Sequence, residues 1–364
     1  MNPMNPMNPL TPITIRLATD NDQPAWDNYV SSNPAAGPYC LYAWKTAVEQ
    51  GYGHKGLYLM AEDTDSGFVS GVLPLILFRL PWGRKSLVSL PYCDYGGLLG
   101  ESYVQRALIK EGQKIAGELG VSRMEIRCSE EHSNLLAEEG IPGQVLSHKV
   151  SMILSLPASS DALWSGFKAK LRSQIRRPEK EGLRGHTGGL ELLEDFYRVF
   201  TTNMRDLGSP VHAFKWFKSV LSAYKDKAKV GIVYLKNEEP VAAGIILFNG
   251  QKVCIPWASS IRKYNRSAPN MLLYWQFLSW ASDNGYSEFD LGRSTPGEGT
   301  YRFKKQWGAK PEQLYWYKLG FDGGKIACSD SVSKGRETAA RVWQHLPSCI
   351  ADLVGPRLRK YISL

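Results

Sequence analysis

The amino-acid sequence predicts an α/β protein in two halves, each with a mixed, largely antiparallel sheet flanked by helices. Two groups of short strand patterns occur along the chain, and a helix and a further strand follow each group in the same order. At 364 residues, of which 43% are hydrophobic and 22% charged, the chain is long enough to bury two cores. We therefore expect two halves of similar plan, with a boundary near Pro157.

The first half opens with two strand patterns around a polar turn. The turn at 63–67 contains two aspartates and a glycine, and it separates a strand pattern at 57–60 from a longer apolar one at 68–78. A helix is predicted over 102–119 and a strand over 123–128. In this half, strands therefore precede and follow one long helix along the chain.

The second half repeats this order with clearer turns. Asn249-Gly250 favours a tight hairpin turn, Pro269 suits the first turn of a helix, and Asn284-Gly285 favours its end. The pattern predicts a three-stranded antiparallel meander, then a helix and a strand. The meander is predicted at 229–235, 240–248 and 252–259, the helix at 269–283 and the last strand at 287–291.

A basic helical stretch at 161–183 lies between the halves. It is either a solvated helix face or a clamp for phosphates, because helically spaced Arg and Lys side chains can converge on one anion. Pro178 is expected to end this helix beside Arg176 and Arg177. The basic residues of the stretch are Lys168, Lys170, Arg172, Arg176, Arg177 and Lys180, with Arg184 just beyond it.

The two ends of the chain carry different patterns. The N-terminal MNPMNPMNP repeat has no basic region, apolar core or cleavage site, so we expect a disordered leader rather than a signal peptide. The C-terminal stretch 336–364 predicts one or two amphipathic helices that either pack on the protein or a partner, or anchor it at a membrane surface. Their apolar residues are Leu353, Val354, Leu358 and Ile362, opposite Arg357, Arg359 and Lys360.

Charge and cysteine usage narrow the class of protein. The formal charge of +9 favours a polyanionic partner, such as nucleic acid, an anionic membrane surface or a phosphorylated substrate, or it simply keeps the protein soluble. The six cysteines show no CxxC spacing, which argues against a zinc site and a disulfide framework and favours a cytoplasmic protein. No apolar run is long enough for a membrane helix.

No GxSxG, GxxxxGK[ST], GxGxxG or HExxH motif occurs, so serine hydrolases, P-loop kinases, Rossmann oxidoreductases and zinc proteases lose their main support.

The segment FDLGRSTPGEGTYRFKKQWG at 289–308 places Asp290 and Arg293 at the end of a strand, beside a glycine-rich turn. Charged groups there suit a ligand site, or the two form a buried ion pair. Lys304 and Lys305 are adjacent, so only one of them can readily face such a site.

The segment LPYCDYGG at 90–97 is a second candidate. Asp94 stands between Tyr92 and Tyr95 and precedes two glycines. It is suited to orient an amine or to act as a base, or it is a turn residue that accepts bonds from backbone donors. Cys93 has no neighbouring histidine in sequence, which favours a packed side chain over a nucleophile.

Four stretches together resemble the FemAB-type peptidyltransferases, within the GNAT acyltransferase superfamily. They are LPYCDYGG from Leu90, KLRSQIRRPEKEGL from Lys170, TTNMRDLGSPVHAFKWF from Thr201 and FDLGRSTPGEGTYRFKKQWGA from Phe289. The sequence looks specifically like the FemAB-related proteins of exosortase (PEP-CTERM) exopolysaccharide systems. The resemblance implies two tandem GNAT-like domains, 13–156 and 157–325, between a leader at 1–12 and a helical tail at 326–364.

The resemblance also implies the reaction. FemAB-like proteins move an acyl or aminoacyl group onto an amine, which here would belong to a cell-envelope or exopolysaccharide precursor. The donor would be acyl-CoA or aminoacyl-tRNA, with no tightly bound cofactor. A late Phe-Lys pair of the family corresponds to Phe303 and Lys304.

Roles follow for the candidate residues. Lys304 would stabilise the oxyanion of the tetrahedral intermediate, and Asp94 would position the acceptor amine. Arg176, Arg177 and Arg293 would hold phosphate or carboxylate groups. The predicted substrate- and donor-binding set is Phe303, Arg293, Asp290, Tyr301, Arg176, Arg177, Lys170, Tyr95, Asn270 and Tyr274.

The sequence departs from the family in two ways. It has no coiled-coil insertion of the kind some members use near tRNA, and RKYNRSAPN at 262–270 stands where GNAT enzymes carry their Q/RxxGxG/A pyrophosphate signature. The choice between donors therefore stays open. A non-catalytic glycan- or partner-binding module is the alternative function, and a nucleic-acid-binding protein using 168–184 is a third.

Overall fold

The computed structural model describes residues 12–80, 83–138, 143–320, 343 and 348–363. Two β-sheets, each covered by helices, dominate this part of the chain. The strands are β1 (Ile13–Leu17), β2 (Lys55–Asp63), β3 (Val69–Arg79), β4 (Lys85–Val88), β5 (Leu99–Gly100), β6 (Arg123–Cys128), β7 (Gly143–Leu146), β8 (Val150–Ser155), β9 (Arg184–Gly188), β10 (Ala228–Tyr234), β11 (Pro240–Asn249), β12 (Lys252–Ser260), β13 (Glu288–Ser294), β14 (Lys310–Gln313) and β15 (Tyr315–Gly320). The helices are α1 (Gln23–Ser32), α2 (Tyr42–Tyr52), α3 (Ser102–Glu118), α4 (Ser133–Glu138), α5 (Ser160–Gly166), α6 (Ala169–Lys180), α7 (Leu193–Asp206), α8 (Phe214–Tyr224), α9 (Pro269–Asp283), α10 (Gly299–Gln306) and α11 (Ser348–Arg359).

Both sheets are mostly antiparallel, and each contains one parallel pair. The first has the order β1-β2-β3-β4-β6-β15-β7, with β5 paired to β3 and β4 parallel to β6. The second has the order β14-β8-β13-β12-β11-β10-β9, with β12 parallel to β13. This confirms the predicted fold class of mixed, largely antiparallel sheets flanked by helices.

Two strands cross between the sheets. The predicted domain limits, 13–156 and 157–325, stay a prediction, and the sheets do not follow them strand by strand. Strand β8 precedes residue 157 but lies between β14 and β13 of the second sheet. Strand β15, which belongs to the later range, lies between β6 and β7 of the first sheet. Each sheet therefore contains an internal strand from the other part of the chain.

A shared aromatic core joins the two sheets. Helix α2 packs against α8, and Trp44 of α2 contacts Trp216 edge to face with ring centroids 5.4 Å apart. Trp44 also stacks on Trp257 of β12 at 6.2 Å. All three indoles are nearly or fully buried, and truncating such a side chain to Ala typically costs about 3–5 kcal/mol. This core fixes the relative position of the loops that form the site.

The helical stretch predicted at 161–183 is two helices. Helix α5 ends at Gly166, the buried Phe167 follows, and α6 runs from Ala169 to Lys180. The expectation that Pro178 ends the helix is wrong by two residues. A proline in the last turn removes only one backbone bond, and Gly182, at φ +83°, reverses the chain instead.

The C-terminal prediction falls partly outside the described residues. Within them, α11 contacts α7, and the residues after it bond to the first half of the chain. This agrees with the packing alternative, although Leu353 and Leu358 are exposed. Across the described ranges, no helix combines the length and apolar character that a membrane crossing requires.

Candidate active site

The candidate site forms where β12 and β13 stop pairing. These strands pair in parallel only through 252–254 and 288–290, and β13 has an irregular register with β8 between Asp290 and Arg293. Gly292 occupies this irregularity at φ +80°, a conformation that favours glycine. The backbone of Gly292 and Arg293 is thereby turned toward the helix α10.

Lys304, on α10, reaches this backbone. Its Nζ donates to the carbonyl oxygens of Gly292 and Arg293, both at 2.8 Å. The side chain is 8% exposed, and burial lowers the pKa of its ammonium to about 8, although Asp94 and Asp290 act to raise it. An ammonium has three N–H groups. Two of them bond to these carbonyls, so among the described residues the third is available to a ligand.

Lys304 also forms part of the wall of a cavity of about 380 Å³, which we call the Lys304 cavity. The cavity lies between the end of β12, the first turns of α9, helix α7 and helix α10. Three residues predicted for substrate or donor binding, Phe303, Asn270 and Tyr274, share this wall with Lys304. The other lining residues are Asn203, Leu207, Ala258, Ser259, Ser260, Leu273, Gly299 and Thr300.

A second cavity of about 380 Å³, the Asp94 cavity, adjoins the first, and Ala258 of β12 lines both. Asp94 and Arg293 are in its wall. An ideal Cβ placed on Gly292 would be 3.6 Å from Lys304 Nζ and 3.9 Å from Asp94 Oδ2, so both charged groups approach the same backbone point. The remaining lining residues are Tyr92, Phe200, Met204, Ser209, Pro210, His212, Pro256, Trp257, Arg359 and Ile362.

Asp94 is held by residues distant in sequence. The Arg293 backbone N–H donates to Asp94 Oδ2 at 3.1 Å, and Arg293 Nε lies 3.5 Å from Asp94 Oδ1. The indole N–H of Trp316 donates to the Asp94 backbone carbonyl at 2.9 Å, and Arg293 lies over the same indole ring at 5.3 Å. Strand β15 therefore helps to place the carboxylate.

Arg127 organises the loop that carries Asp94, and no sequence pattern indicates this role. Its guanidinium is 1% exposed and donates to the carbonyl oxygens of Leu90 and Cys93, each at 3.1 Å. It also pairs with Glu125 in the same strand. Because an arginine has five donors in a rigid fork, one side chain can satisfy several loop carbonyls at once.

Asp290 lies beneath the site rather than in an ion pair with Arg293. Its Oδ1 accepts from Ser151 Oγ and from the Gly292 backbone N–H at 2.7 Å, and the buried Tyr95 hydroxyl also bonds to it. Burial raises the pKa of the Asp290 carboxyl to about 6. Of the two alternatives for Asp290 and Arg293, the ion pair is wrong, because Arg293 pairs with Asp94 and Asp290 holds the turn at Gly292.

Phe303 and Tyr274 form an aromatic wall. Their rings meet edge to face at 5.0 Å, and Tyr274 stacks on Trp307 at 6.1 Å. Tyr301 is half-buried on the same helix as Phe303, beneath the ammonium of the exposed Lys305 at 5.9 Å. The structure thus buries Lys304 and exposes Lys305, as expected for adjacent helical residues.

The predicted basic residues of α6 lie outside both cavity walls. Lys170, Arg176 and Arg177 are exposed; Arg176 lies over the Trp164 ring at 4.9 Å, and Arg177 pairs with Glu181 at 2.8 Å. Glu181 also bonds to Ser267, two residues before α9. The basic face of α6 therefore ends near the helix start that lines the Lys304 cavity.

Among the lining residues of the Asp94 cavity that the sequence did not indicate are His212, Arg359 and Ile362. Burial lowers the pKa of the His212 imidazole well below its ordinary value, and its Nδ1 lies 2.6 Å from the Tyr52 hydroxyl. Within the described ranges, no group of three or more His, Cys, Asp or Glu residues is arranged to hold a metal ion.

Comparisons with known proteins bear on the fold and on the class of protein. Residues 165–305 match the model of the acetyltransferase (GNAT) domain family. The chain is similar to the UDP-N-acetylmuramoylpentapeptide-lysine N(6)-alanyltransferase of Weissella viridescens, at 22% identity over 249 residues, which span 63% of this chain and 73% of that protein. The range matched to the GNAT model, 165–305, includes Lys304 and Arg293 but not Asp94.

Solved structures share the fold. The crystal structure of FemX aligns with a TM-score of 0.69 and 15% identity, covering 85% of this chain and 97% of that one. A tandem GNAT protein from the clavulanic acid pathway aligns with a TM-score of 0.56 and 11% identity, covering 86% and 100%. The C-terminal domain of a putative lysylphosphatidylglycerol synthetase from Agrobacterium fabrum aligns with a TM-score of 0.58 and 13% identity, covering 87% and 96%.

These similarities confirm the predicted fold of two GNAT-like domains. The match to the GNAT domain model and the similarity to an aminoacyltransferase support acyltransferase activity. They also support the resemblance to the FemAB peptidyltransferases, whereas the association with exosortase systems stays a prediction.

Proposed function

We propose that this protein transfers an acyl or aminoacyl group to an amine of a cell-envelope precursor. The observation that supports this most is a pair of cavities that share Ala258, one lined by the buried Lys304 ammonium and the other by the Asp94 carboxylate, with both charged groups near Gly292. The donor would occupy the Lys304 cavity and the acceptor the Asp94 cavity. The amine would then meet the donor carbonyl near Gly292.

The chemistry assigned to Lys304 follows from its unused N–H. The neutral acceptor nitrogen attacks the donor carbonyl carbon, and the carbonyl oxygen becomes an oxyanion. A preorganised hydrogen-bond donor in a site shielded from water stabilises such an oxyanion strongly. As the intermediate collapses, the C–N bond is retained, the ester or thioester bond breaks, and the proton lost by nitrogen goes to the leaving oxygen or sulfur.

Asp94 is the proposed positioning group for the acceptor. Its carboxylate borders the acceptor cavity and is oriented by the Arg293 backbone. A fixed carboxylate can accept a hydrogen bond from the acceptor amine and carry its proton while the C–N bond forms. Arg293 would contact an acidic group of the same substrate.

The start of α9 is the proposed phosphate contact of the donor. The helix N-terminus has unpaired N–H groups and a partial positive charge, which favour phosphate. Asn270 lines the cavity there. Both acyl-CoA and aminoacyl-tRNA carry phosphates, but only a tRNA is large enough to extend onto the basic face of α6.

Native mass spectrometry with acetyl-CoA and aminoacylated tRNA, offered separately, tests the donor. If tRNA is the donor, Arg176→Gln and Arg177→Gln weaken binding and each lowers its salt dependence by about one charge. If acyl-CoA is the donor, these variants bind normally and Asn270→Ala binds weakly. Retention of neither donor would contradict the proposal.

Product formation separates an enzyme from the alternative, a glycan- or partner-binding module. UDP-N-acetylmuramoyl pentapeptide is a suitable first acceptor, because the similar alanyltransferase acts on it. We expect Lys304→Met to retain donor binding and to lose product formation by about 100- to 1,000-fold. Lys305→Met, one residue away on the exposed face, is the matched control and should remain active.

A buried ammonium also argues against a pure binding module. Burying a charge is costly unless partners or a reaction require it. Lys304 bonds to two neutral carbonyls, and among the described residues no carboxylate lies within hydrogen-bond distance of it.

The narrower form of the proposal is that the acceptor is an exopolysaccharide precursor of an exosortase system.

A further inference from the structure

The C-terminal segment 348–363 folds back onto the loop that carries Asp94. The Tyr92 backbone N–H donates to the Ser363 carbonyl oxygen at 2.7 Å, and the Tyr92 hydroxyl donates to the Lys360 carbonyl oxygen at 2.7 Å. Arg127 donates to the Ser363 carbonyl oxygen at 3.1 Å, and His54 Nε2 lies 3.0 Å from the Lys360 carbonyl oxygen. The segment is therefore attached by its backbone at several points.

This attachment places Arg359 in the wall of the Asp94 cavity, next to Ile362. The Arg359 guanidinium donates to the Ile362 carbonyl oxygen at 2.7 Å and lies 5.8 Å from the centre of the Tyr92 ring. One bond uses one of its five donors, so the remaining donors can serve a ligand in the cavity.

The charges around Arg359 favour an anion. Arg293 lines the same cavity, and its charge and that of Arg127 repel the Arg359 guanidinium. Within the described part of the chain, no carboxylate lies within ion-pair distance of Arg359, and Asp94 is already engaged by Arg293. The other titratable groups facing Arg359 are the neutral hydroxyls of Tyr52 and Tyr92, and His212 is kept neutral by burial.

We propose that Arg359 and Arg293 together form an anion subsite of the Asp94 cavity, which binds a phosphate or carboxylate group of the acceptor. Two guanidiniums in one cavity suit planar, bidentate contacts with such groups. That the anion belongs to the acceptor rests on the proposed function. The C-terminal segment, which lies outside the residues matched to the GNAT model, is then part of the substrate site.

Isothermal titration calorimetry with two probes tests the subsite. Pyrophosphate represents a phosphorylated acceptor and glutarate a carboxylated one, and the tighter probe identifies the source of the anion. We expect Arg359→Gln to weaken the preferred probe by about 10- to 100-fold, the loss typical of a hydrogen bond to a charged group. Arg359→Lys keeps the charge but not the fork and should be intermediate.

Arg357→Gln is the matched control, because it removes the same charge from an exposed position of the same helix. It should bind the probe within about twofold of the parent protein. Ile362→Glu is a second variant that leaves Arg359 in place. Its new carboxylate would pair with the guanidinium and should also prevent probe binding, so the test does not depend on how well Arg359→Gln folds.

Equal binding by Arg359→Gln and Arg357→Gln would overturn the subsite, as would the absence of binding of either probe to the parent protein. Failure of the proposed function has a different signature. In that case no donor yields a product, while probe binding still depends on Arg359.

Discussion

Replacing Lys304 by Met should change how stability depends on pH. Methionine has a similar length and flexibility but no charge. In the parent protein the native state loses the Lys304 proton near pH 8, whereas the unfolded chain keeps it until about 10.5. Between these values the unfolded state binds more protons, so the free energy of unfolding rises with pH.

The size of this rise follows from the two pKa values. At about 1.4 kcal/mol per pH unit, the interval from about 8 to 10.5 corresponds to about 3 kcal/mol. Lys304→Met lacks this contribution. The unfolding free energy of the parent protein minus that of the variant should therefore increase by about 3 kcal/mol from pH 7 to 10.5. The bonds that Lys304 donates to two carbonyls shift the difference at pH 7 but add little to its slope.

Chemical denaturation of both proteins in a pH series, followed by tryptophan fluorescence, measures the difference. Tyrosines and other lysines titrate in the same range, but both proteins carry them and their effects cancel. Lys305→Met should parallel the parent protein, because that side chain is exposed. Parallel curves for the parent protein and Lys304→Met would refute a buried, shifted ammonium, and activity that does not fall above pH 8 would refute its charged role.

Three further perturbations test the frame of the site. Asp290→Asn should be about 1–3 kcal/mol more stable than the parent protein at pH 7. The reason is that burial raises the carboxyl pKa from 3.8 to about 6, so the charged form is costly in the folded protein. In denaturation curves measured below pH 4 this gain should vanish. Gly292→Ala should cost about 1–2 kcal/mol in thermal unfolding, since alanine is strained at φ +80° although its Cβ has room; an unchanged melting temperature would contradict this. Arg127→Met should lower the free energy of unfolding by about 3–5 kcal/mol, because it leaves Glu125 and the loop carbonyls without their donor. It should also expose the C-terminal segment to limited proteolysis. Arg123→Met, in the same strand but exposed, should have neither effect.

Much of the second half could be predicted from local signals. Helix α9 has its predicted limits, as does β6 in the first half, and β10 to β12 agree within about one residue. Asn249-Gly250 and Pro269 specify backbone conformations that few other residues adopt, and Gly250 has a positive φ. Local chemistry is sufficient there because each turn is completed by neighbouring residues.

The partners of strands and side chains could not be predicted in the same way. A strand pattern shows that a segment is extended but not which sheet it joins, so the crossing of β8 and β15 was not foreseen. The bond between Asp94 and the Arg293 backbone joins residues 199 positions apart. Arg127 and Arg359 looked like ordinary basic residues, because only the fold shows that they are buried among carbonyls or beside a cavity.

The crossing of β8 and β15 has a consequence for folding. A cut between residues 156 and 157 would leave the upstream piece without β15, the strand that joins β6 to β7, and the downstream piece without β8, which joins β14 to β13. Each piece would expose unpaired strand edges, which promote aggregation. We therefore expect the two pieces to be insoluble when produced separately and to recover a folded protein only when produced together, as complementing fragments of one cooperative unit.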